Sequence, residues 1–390
     1  MPGKTIAKAP GRICLFGEHQ DFLHLAVIAC PIDLYITVSG SPRTDTRFCI
    51  SMPDVDDSDE FDAFAEIPYR CDLDFIRAAT NVVRRHGIDI STGYDCIIEG
   101  EIPINAGTSS SSALVVSWVQ FLLATQNGHS AHDAATIARL AYQAEVPEFN
   151  APGGMMDHYA SAMGGLLYID CADPITVERL PAVLDGFVLG NTGVHKDNNA
   201  ILLESRQATT RGIQTLEERI PGFDLRTTQL QQAEPHLAAM EPNVARRVRA
   251  NMINRDICGQ ARQVLSSESP DRARLGELLY RHQEQLRDGI GVSHPKLDEL
   301  IDAAMDAGAL GGKLNGSGGG GCMFAYAPGK QQEVREAIRA AGGEAYIVSV
   351  SPGARAHSDT CPQLDGSCEQ LDGSSEQLDG SCPQLDGAAR

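Results

Sequence analysis

The chain of 390 residues is short of positive charge: 32 Lys and Arg stand against 52 Asp and Glu, a net charge of −20. Surfaces for nucleic acid or anionic membranes need clustered Lys and Arg, so neither partner is expected. No apolar run approaches the roughly 18–20 residues that span a bilayer. The opening MPGKTIAKAPGR has no apolar core of a secretory signal. Eleven cysteines are present, but none has the paired spacing of a zinc site or a disulfide framework. Most lie in apolar runs such as Ile28-Ala29-Cys30 and Cys96-Ile97-Ile98, as buried thiols do in a reducing compartment. The expected location is the cytoplasm. One further absence concerns phosphate chemistry: no G-x-x-x-x-G-K-S/T occurs, which excludes a Walker P-loop.

What is present fits a globular protein, with 42% hydrophobic and 22% charged residues and length enough for two domains sharing a large core. The densest feature is residues 313–322, KLNGSGGGGC, in which 316–321 hold five glycines and one serine. Glycine packs nothing and loses the most entropy on ordering, so such a run belongs where backbone N–H groups curl round a ligand, commonly a phosphate. A purely structural turn is the alternative. The run also matches G-x-G-x-x-G, but that fingerprint needs a strand before and a helix after. Here residues 295–309 read as a helix and 322–327 as a strand. The order is wrong for a Rossmann site.

Two other stretches carry chemistry. Residues 12–16 read as a strand that stops at Gly17 and delivers Glu18, His19 and Asp21, with Arg12, into one polar cluster. Carboxylates beside an imidazole suit sugar hydroxyls, which both donate and accept; a solvated strand end is the bland alternative. Residues 103–114 put Gly107, Thr108 and the run Ser109-Ser110-Ser111-Ser112 at the start of a long apolar helix, about 109–126. One serine serves as N-cap; four exceed that need and make an anion site in which a hydroxyl can also reach Mg²⁺. A helix over 134–144 ends at Glu145, and a Pro/Gly turn at 147–154 leads into a helix opened by Asp157, where the dipole favours an ionised carboxylate. Residues 51–66 are acidic and loop-like, and 191–196 are a polar strand end set near the substrate. The segment QLDGS at 363–367 recurs with Gln370, Gln377 and Gln384, one leucine and one glycine per seven residues, which suits a disordered tail rather than a coiled coil.

Taken in order, these segments resemble the motifs of the GHMP kinases. Residues 12–21, RICLFGEHQD, are similar to the galactokinase signature. Residues 103–113 resemble the family's phosphate loop, 313–322 its third glycine-rich motif, and Gly154-Met155-Met156-Asp157 the galactokinase G-I-M-D segment. The resemblance implies an α+β, two-domain GHMP kinase fold: a ribosomal S5-like α/β domain over 1–185, an α+β domain over 186–352, and the tail over 353–390. It implies ATP as co-substrate, Mg²⁺, a small-molecule sugar, and a monomer or weak homodimer. Asp157 and Arg12 take the catalytic roles; Glu18, His19, Asp21 and Gly154 bind the sugar. Gly107, Thr108, Ser109, Ser110, Ser111 and Ser112, with Gly316, Gly318 and Gly319, wrap ATP. Ser111 and Glu145 hold the metal. Departures cluster near the sugar pocket: Gln20 for Thr, Phe22 for Tyr, Cys14 for Asn, and no Asn-Gly-Gly at 23–27. Kinase chemistry is therefore better supported than galactose itself, which is the first candidate sugar, followed by arabinose, fucose or a uronic acid. A mevalonate-type kinase is the alternative within the fold, and a related ATP-driven decarboxylase or a catalytically dead sugar sensor the alternatives outside kinase chemistry.

Overall fold

The structure, a computed structural model, describes residues 3–104, 106–125, 132–194 and 198–358. The heptapeptide repeats, His195 and Lys196 lie outside the described residues.

Two long strands organise the first half. β1 (Thr5–Phe16) and β2 (Val27–Pro42) pair antiparallel in the register Ala9↔Ile36 and Ile13↔Cys30. Side chains alternate across β1 and change parity at a register shift between Pro10 and Arg12, so Ala7 and Ala9 before it and Cys14 after it enter one apolar core while Ile13 and Leu15 enter another. A strand covered on both faces reads as a continuous apolar run, which is the look of residues 13–16. β3 (Arg47–Met52), β4 (Asp57–Asp62), β5 (Tyr94–Gly100), β6 (Leu167–Asp170) and β7 (Thr176–Arg179) extend this sheet. Four helices cover its inner face: α1 (Phe75–Arg85), α2 (Ser110–Thr125), α3 (Ala134–Glu145) and α4 (Met156–Met163). At the centre of that core the Trp118 indole N–H donates to Thr80 Oγ1 at 2.9 Å, which satisfies the one polar atom the tryptophan buries.

β8 (Phe187–Asn191) opens a second sheet, followed by helices α5 (Asn198–Arg219), α6 (Leu230–Leu237), α7 (Pro242–Leu265), α8 (Arg272–Glu284) and α9 (Pro295–Asp306). The hairpin β9 (Gly311–Leu314) and β10 (Cys322–Tyr326), then α10 (Gln331–Ala340) and β11 (Glu344–Val348), complete it in the order β11-β8-β10-β9. Ile13, Leu15 and Ile28 of the first sheet pack with Phe187, Leu189 and Leu278 of the second half in one shared core. β12 (Arg355–Ser358) then returns to the first sheet, whose main path runs β12-β1-β2-β5-β3-β4. Among the described residues no helix is long and apolar enough to cross a membrane.

Three expectations need correction. Residues 353–358 do not leave the fold: β12 pairs with β1 from Thr5↔Ser358 to Lys8↔Arg355. The acidic stretch read as a loop contains β4, an edge strand that turns Asp59 and Phe61 inward and its other acids to solvent. Asp59 receives a forked pair of bonds from Arg77 at 2.7 and 3.0 Å, and Phe61 stacks on Phe48. The glycine run is preceded by a strand rather than directly by a helix. β9 opens with two glycines and gave little strand signal; it needs them because a Cβ on Gly311 would sit 2.2 Å from the Gly276 carbonyl oxygen.

Candidate active site

Arg12 shares the parity of Cys14 and so faces the helical layer. There it meets Asp157, in the first turn of α4. Arg12 Nε donates to Oδ1 at 2.7 Å and Nη2 to Oδ2 at 2.8 Å, a planar fork on a planar carboxylate. The remaining nitrogen, Nη1, donates to the Gly107 carbonyl at 2.5 Å. Ser109 adds its hydroxyl to Asp157 Oδ2 at 2.6 Å, from a backbone held at φ 61°, a conformation that non-glycine residues adopt only when their surroundings impose it. Burial alone would raise the Asp157 carboxyl. The charge of Arg12, its hydrogen bonds and the Ser109 hydroxyl outweigh that and hold it below the ordinary carboxylate range. The result is a carboxylate ionised at neutral pH that still keeps a quarter of its side-chain surface open.

Beside this pair lies the turn after β1. Gly17 takes φ 101°, and any Cβ there would sit 2.7 Å from Val27. The chain then folds back so that His19 Nε2 meets the Ser317 carbonyl at 3.1 Å, while Asp21 packs against Gly154. A Cβ on Gly154 would lie 2.0 Å from Asp21 Oδ2; only glycine admits the carboxylate there. Burial, then the nearby charge of Asp157, push the Asp21 carboxyl up to about 6. Two carboxyls are thus driven apart by their surroundings, one held ionised and one poised near neutrality.

The serine run opens α2, with Ser110, Ser111 and Ser112 on the same cleft as Arg12, Asp21 and Asp157. The cleft measures about 530 Å³. Glu145, at the end of α3, also faces it, and His158 Nε2 lies 2.7 Å from Glu145 Oε2, fixing that carboxylate. Ser111 and Glu145 supply hydroxyl and carboxylate oxygens, the hard donors that suit a Mg²⁺ ion keeping waters and phosphates as its other ligands.

Several anticipated residues sit elsewhere. Thr108 is fully buried and off the cleft; its carbonyl accepts the Arg12 N–H at 3.1 Å. Gly316 and Ser317 line the cleft while Gly318 and Gly319 do not, and the Gly319 N–H is already given to the Val292 carbonyl at 2.7 Å. Glu18, expected on the sugar, does line the cleft, but it is 1% exposed and its Oε1 is taken by Lys313 Nζ at 2.5 Å. Lys313, itself fully buried, also donates to the Cys14 and Leu314 carbonyls. Sequence reasoning quoted Lys313 and Asn315 only as flanks of the glycines and took His158 for no role. The signal available for Lys313 was a cation beside an apolar strand, which needs a buried anion.

Comparison with known proteins agrees with this geometry. Residues 74–165 match the GHMP kinases N terminal domain, 264–344 the GHMP kinases C terminal, and 2–42 the galactokinase galactose-binding signature. The chain is 32% identical over 346 residues to a galactokinase of Pasteurella multocida, covering 85% of this chain and 87% of that protein. It is 31% identical over 362 residues to a mevalonate kinase of Pyrococcus abyssi, covering 90% and 97%. The fold matches a Lactococcus lactis galactokinase solved with galactose at a TM-score of 0.78, with 20% identity over 90% of this chain and 95% of that one.

Proposed function

The chain belongs to the GHMP kinases, and from that premise we propose that it transfers the γ-phosphate of ATP to the anomeric hydroxyl of a neutral monosaccharide, with galactose the first candidate. The carrying observation is the constellation of Arg12, Asp157 and Ser109, an ionised carboxylate held rigidly at a cleft whose other end is a helix N-terminus rich in hydroxyls.

In phosphoryl transfer the attacking and leaving oxygens lie in line and charge spreads over the transferring group, so positioning and electrostatics do most of the work. Asp157 receives the acceptor hydroxyl as a hydrogen-bond donor and aims its oxygen at the γ-phosphorus. As the new O–P bond forms and the bond to the β-phosphate bridging oxygen breaks, the hydroxyl proton passes to Asp157 and ADP leaves with the electron pair. A carboxylate of low pKa is a weak base, which suffices because the proton becomes acidic only as the new bond forms. Arg12 holds the carboxylate in place and puts positive charge beside the transferring group. Unpaired N–H groups at the start of α2 and the hydroxyls of Ser110 and Ser111 take the phosphates. Ser111 and Glu145, the latter aligned by His158, would hold Mg²⁺, which would neutralise phosphate charge when bound.

The acceptor follows from what lines its end of the cleft. His19, Asp21 and Gly154 offer donors and acceptors for hydroxyls. Among the described residues lining the cleft, Arg12 is the one Lys or Arg, and both of its faces are engaged. A carboxylated acceptor, mevalonate or a uronic acid, has no unengaged Lys or Arg among them to meet its charge. The match of residues 2–42 to the galactose-binding signature favours the same choice. Mevalonate is the second reading, supported by the likeness to the Pyrococcus abyssi enzyme.

The test is ADP release across a panel of neutral sugars, uronic acids and mevalonate, with Asp157→Ala as control. A neutral sugar should turn over, and the variant should lose about 10²-fold or more. Turnover of mevalonate alone would overturn the acceptor; no turnover at all would overturn the kinase.

A further inference from the structure

The glycine hairpin and the serine loop meet backbone to backbone. A Cβ on Gly316 would lie 2.7 Å from the Gly107 carbonyl oxygen, and the Cys322 N–H donates to the Ala106 carbonyl at 2.6 Å. One side chain crosses this seam at its centre. Asn315, fully buried between β9 and the glycines, accepts the Cys14 N–H on Oδ1 at 2.9 Å. Its Nδ2 donates to the Gly107 carbonyl at 2.8 Å and to the Arg12 carbonyl at 3.3 Å. The Gly107 carbonyl is the same oxygen that receives Arg12 Nη1. Both lone pairs of that oxygen are therefore used, one by the guanidinium and one by the carboxamide.

We propose that Asn315 is a positioning residue for phosphoryl transfer, a latch from the second sheet that fixes Gly107 and thereby the guanidinium holding Asp157. The inference rests on the kinase reading above. Its logic is one of chemistry and length. The crossing needs one acceptor for Cys14 and two donors for Gly107 and Arg12, all neutral because the site is buried and Arg12 already carries its counter-charge. A carboxamide on a two-bond stem supplies that set; a carboxylate keeps the acceptor and loses both donors. Without the latch the Gly107 carbonyl is held by Arg12 alone, and the serine loop keeps to the strand that carries Arg12 through that guanidinium and the Arg12 N–H to Thr108 carbonyl bond. The guanidinium then holds Asp157 less firmly, the ionised form is less favoured, and the Asp157 carboxyl rises. Glycine at 107, at φ 87°, has no side chain of its own to restore the position.

The experiment uses the full chain with Asn315→Ala and Asn315→Asp. Misplacing a reacting group by about 1 Å costs on the order of 10²-fold, so kcat should fall roughly 10- to 100-fold in both variants. KM for the sugar should move by less than about threefold, because His19, Asp21 and Gly154 lie outside the serine loop that Asn315 steadies. The acid limb of kcat should shift to higher pH, which a merely structural loss would not produce. Hydrogen exchange of the unliganded protein should quicken in peptides covering 12–18 and 104–112, and less elsewhere. A variant with wild-type kcat and wild-type exchange in 104–112 overturns the latch, as does a fall in kcat that leaves the acid limb where it was. If the wild type releases no ADP with any acceptor, the kinase reading fails separately, and the exchange comparison alone decides the latch: faster exchange in 104–112 upholds it and unchanged exchange overturns it.

Discussion

Replacing Arg12 by lysine isolates what the guanidinium contributes beyond charge. The arginine is 4% exposed and makes three bonds from three nitrogens: two to Asp157 and one to the Gly107 carbonyl. An ammonium on a flexible stem is a point charge; it reaches one carboxylate oxygen and cannot also span to Gly107. At least one charge-assisted bond is lost, worth about 1.5–3 kcal/mol, which is roughly a 10- to 150-fold fall in kcat if the full value is felt in the transition state. Folding should suffer less, by about 1–2 kcal/mol, because Asn315 still satisfies the Gly107 carbonyl and the charge pair survives. The pH dependence has a definite sign. Asp157 is depressed in the native state, so it adds stability above its unfolded pKa, and that contribution disappears as pH falls through its native pKa. Lysine weakens the depression, so the difference in Tm between wild type and variant should be widest near neutrality and close in acid, while the acid limb of kcat moves up. The assay is kcat and Tm for both proteins across about pH 2 to 8, a range that reaches below the ordinary carboxylate pKa. A lysine variant within about twofold of wild-type kcat, with the same acid limb, would refute the claim that the fork geometry matters.

Three further outcomes follow from the same site. Gly154→Ala places a methyl 2.0 Å from Asp21 Oδ2; the carboxylate must move, and KM for the sugar should rise about tenfold or more with KM for ATP unchanged, as steady-state kinetics would read. Asp21→Asn removes a carboxyl raised to about 6; a raised acid costs stability as pH rises through its native pKa, so the variant should gain on the order of 1–3 kcal/mol over wild type near pH 8 and lose that gain towards pH 4 in thermal melts. Lys313→Met should destabilise by about 3–5 kcal/mol by stranding the Glu18 charge, whereas Glu18→Gln with Lys313→Met should recover most of that stability in denaturant titrations; sugar KM in the double variant stays near wild type if Glu18 does not touch the substrate.

The separate elements of this site were legible because each leaves a local mark. Glycines and serines crowd a loop, a carboxylate opens a helix, and an arginine stands alone at the start of an apolar strand. The family resemblance supplied roles for Arg12, Asp157 and the serines. What neither could supply is which groups bond to which. Arg12 and Asp157 are 145 residues apart and Ser109 and Asp157 are 48 apart, so the fork exists only once β1, α2 and α4 have packed. Elements were missed where composition masks pairing: β4 presents acids on the exposed face of an edge strand, and β9 is half glycine because its neighbours come within contact distance of the backbone. Glu18 carries the deepest lesson. A glutamate in a polar cluster after a strand looks like a ligand for a hydroxyl, and the resemblance assigns it that task. One oxygen of its carboxylate also answers a lysine 295 residues away that has no water to solvate it. A fully buried ammonium is tolerable only while that partner remains, so Glu18 lines the cleft with one oxygen already fixed. Lys313 and Asn315 thus turn the strand before the glycines into the part of the second half that sets the first, one through charge at the Glu18 turn and the other through hydrogen bonds at Gly107. The placement of the catalytic pair depends on this seam as much as on the residues that face the cleft.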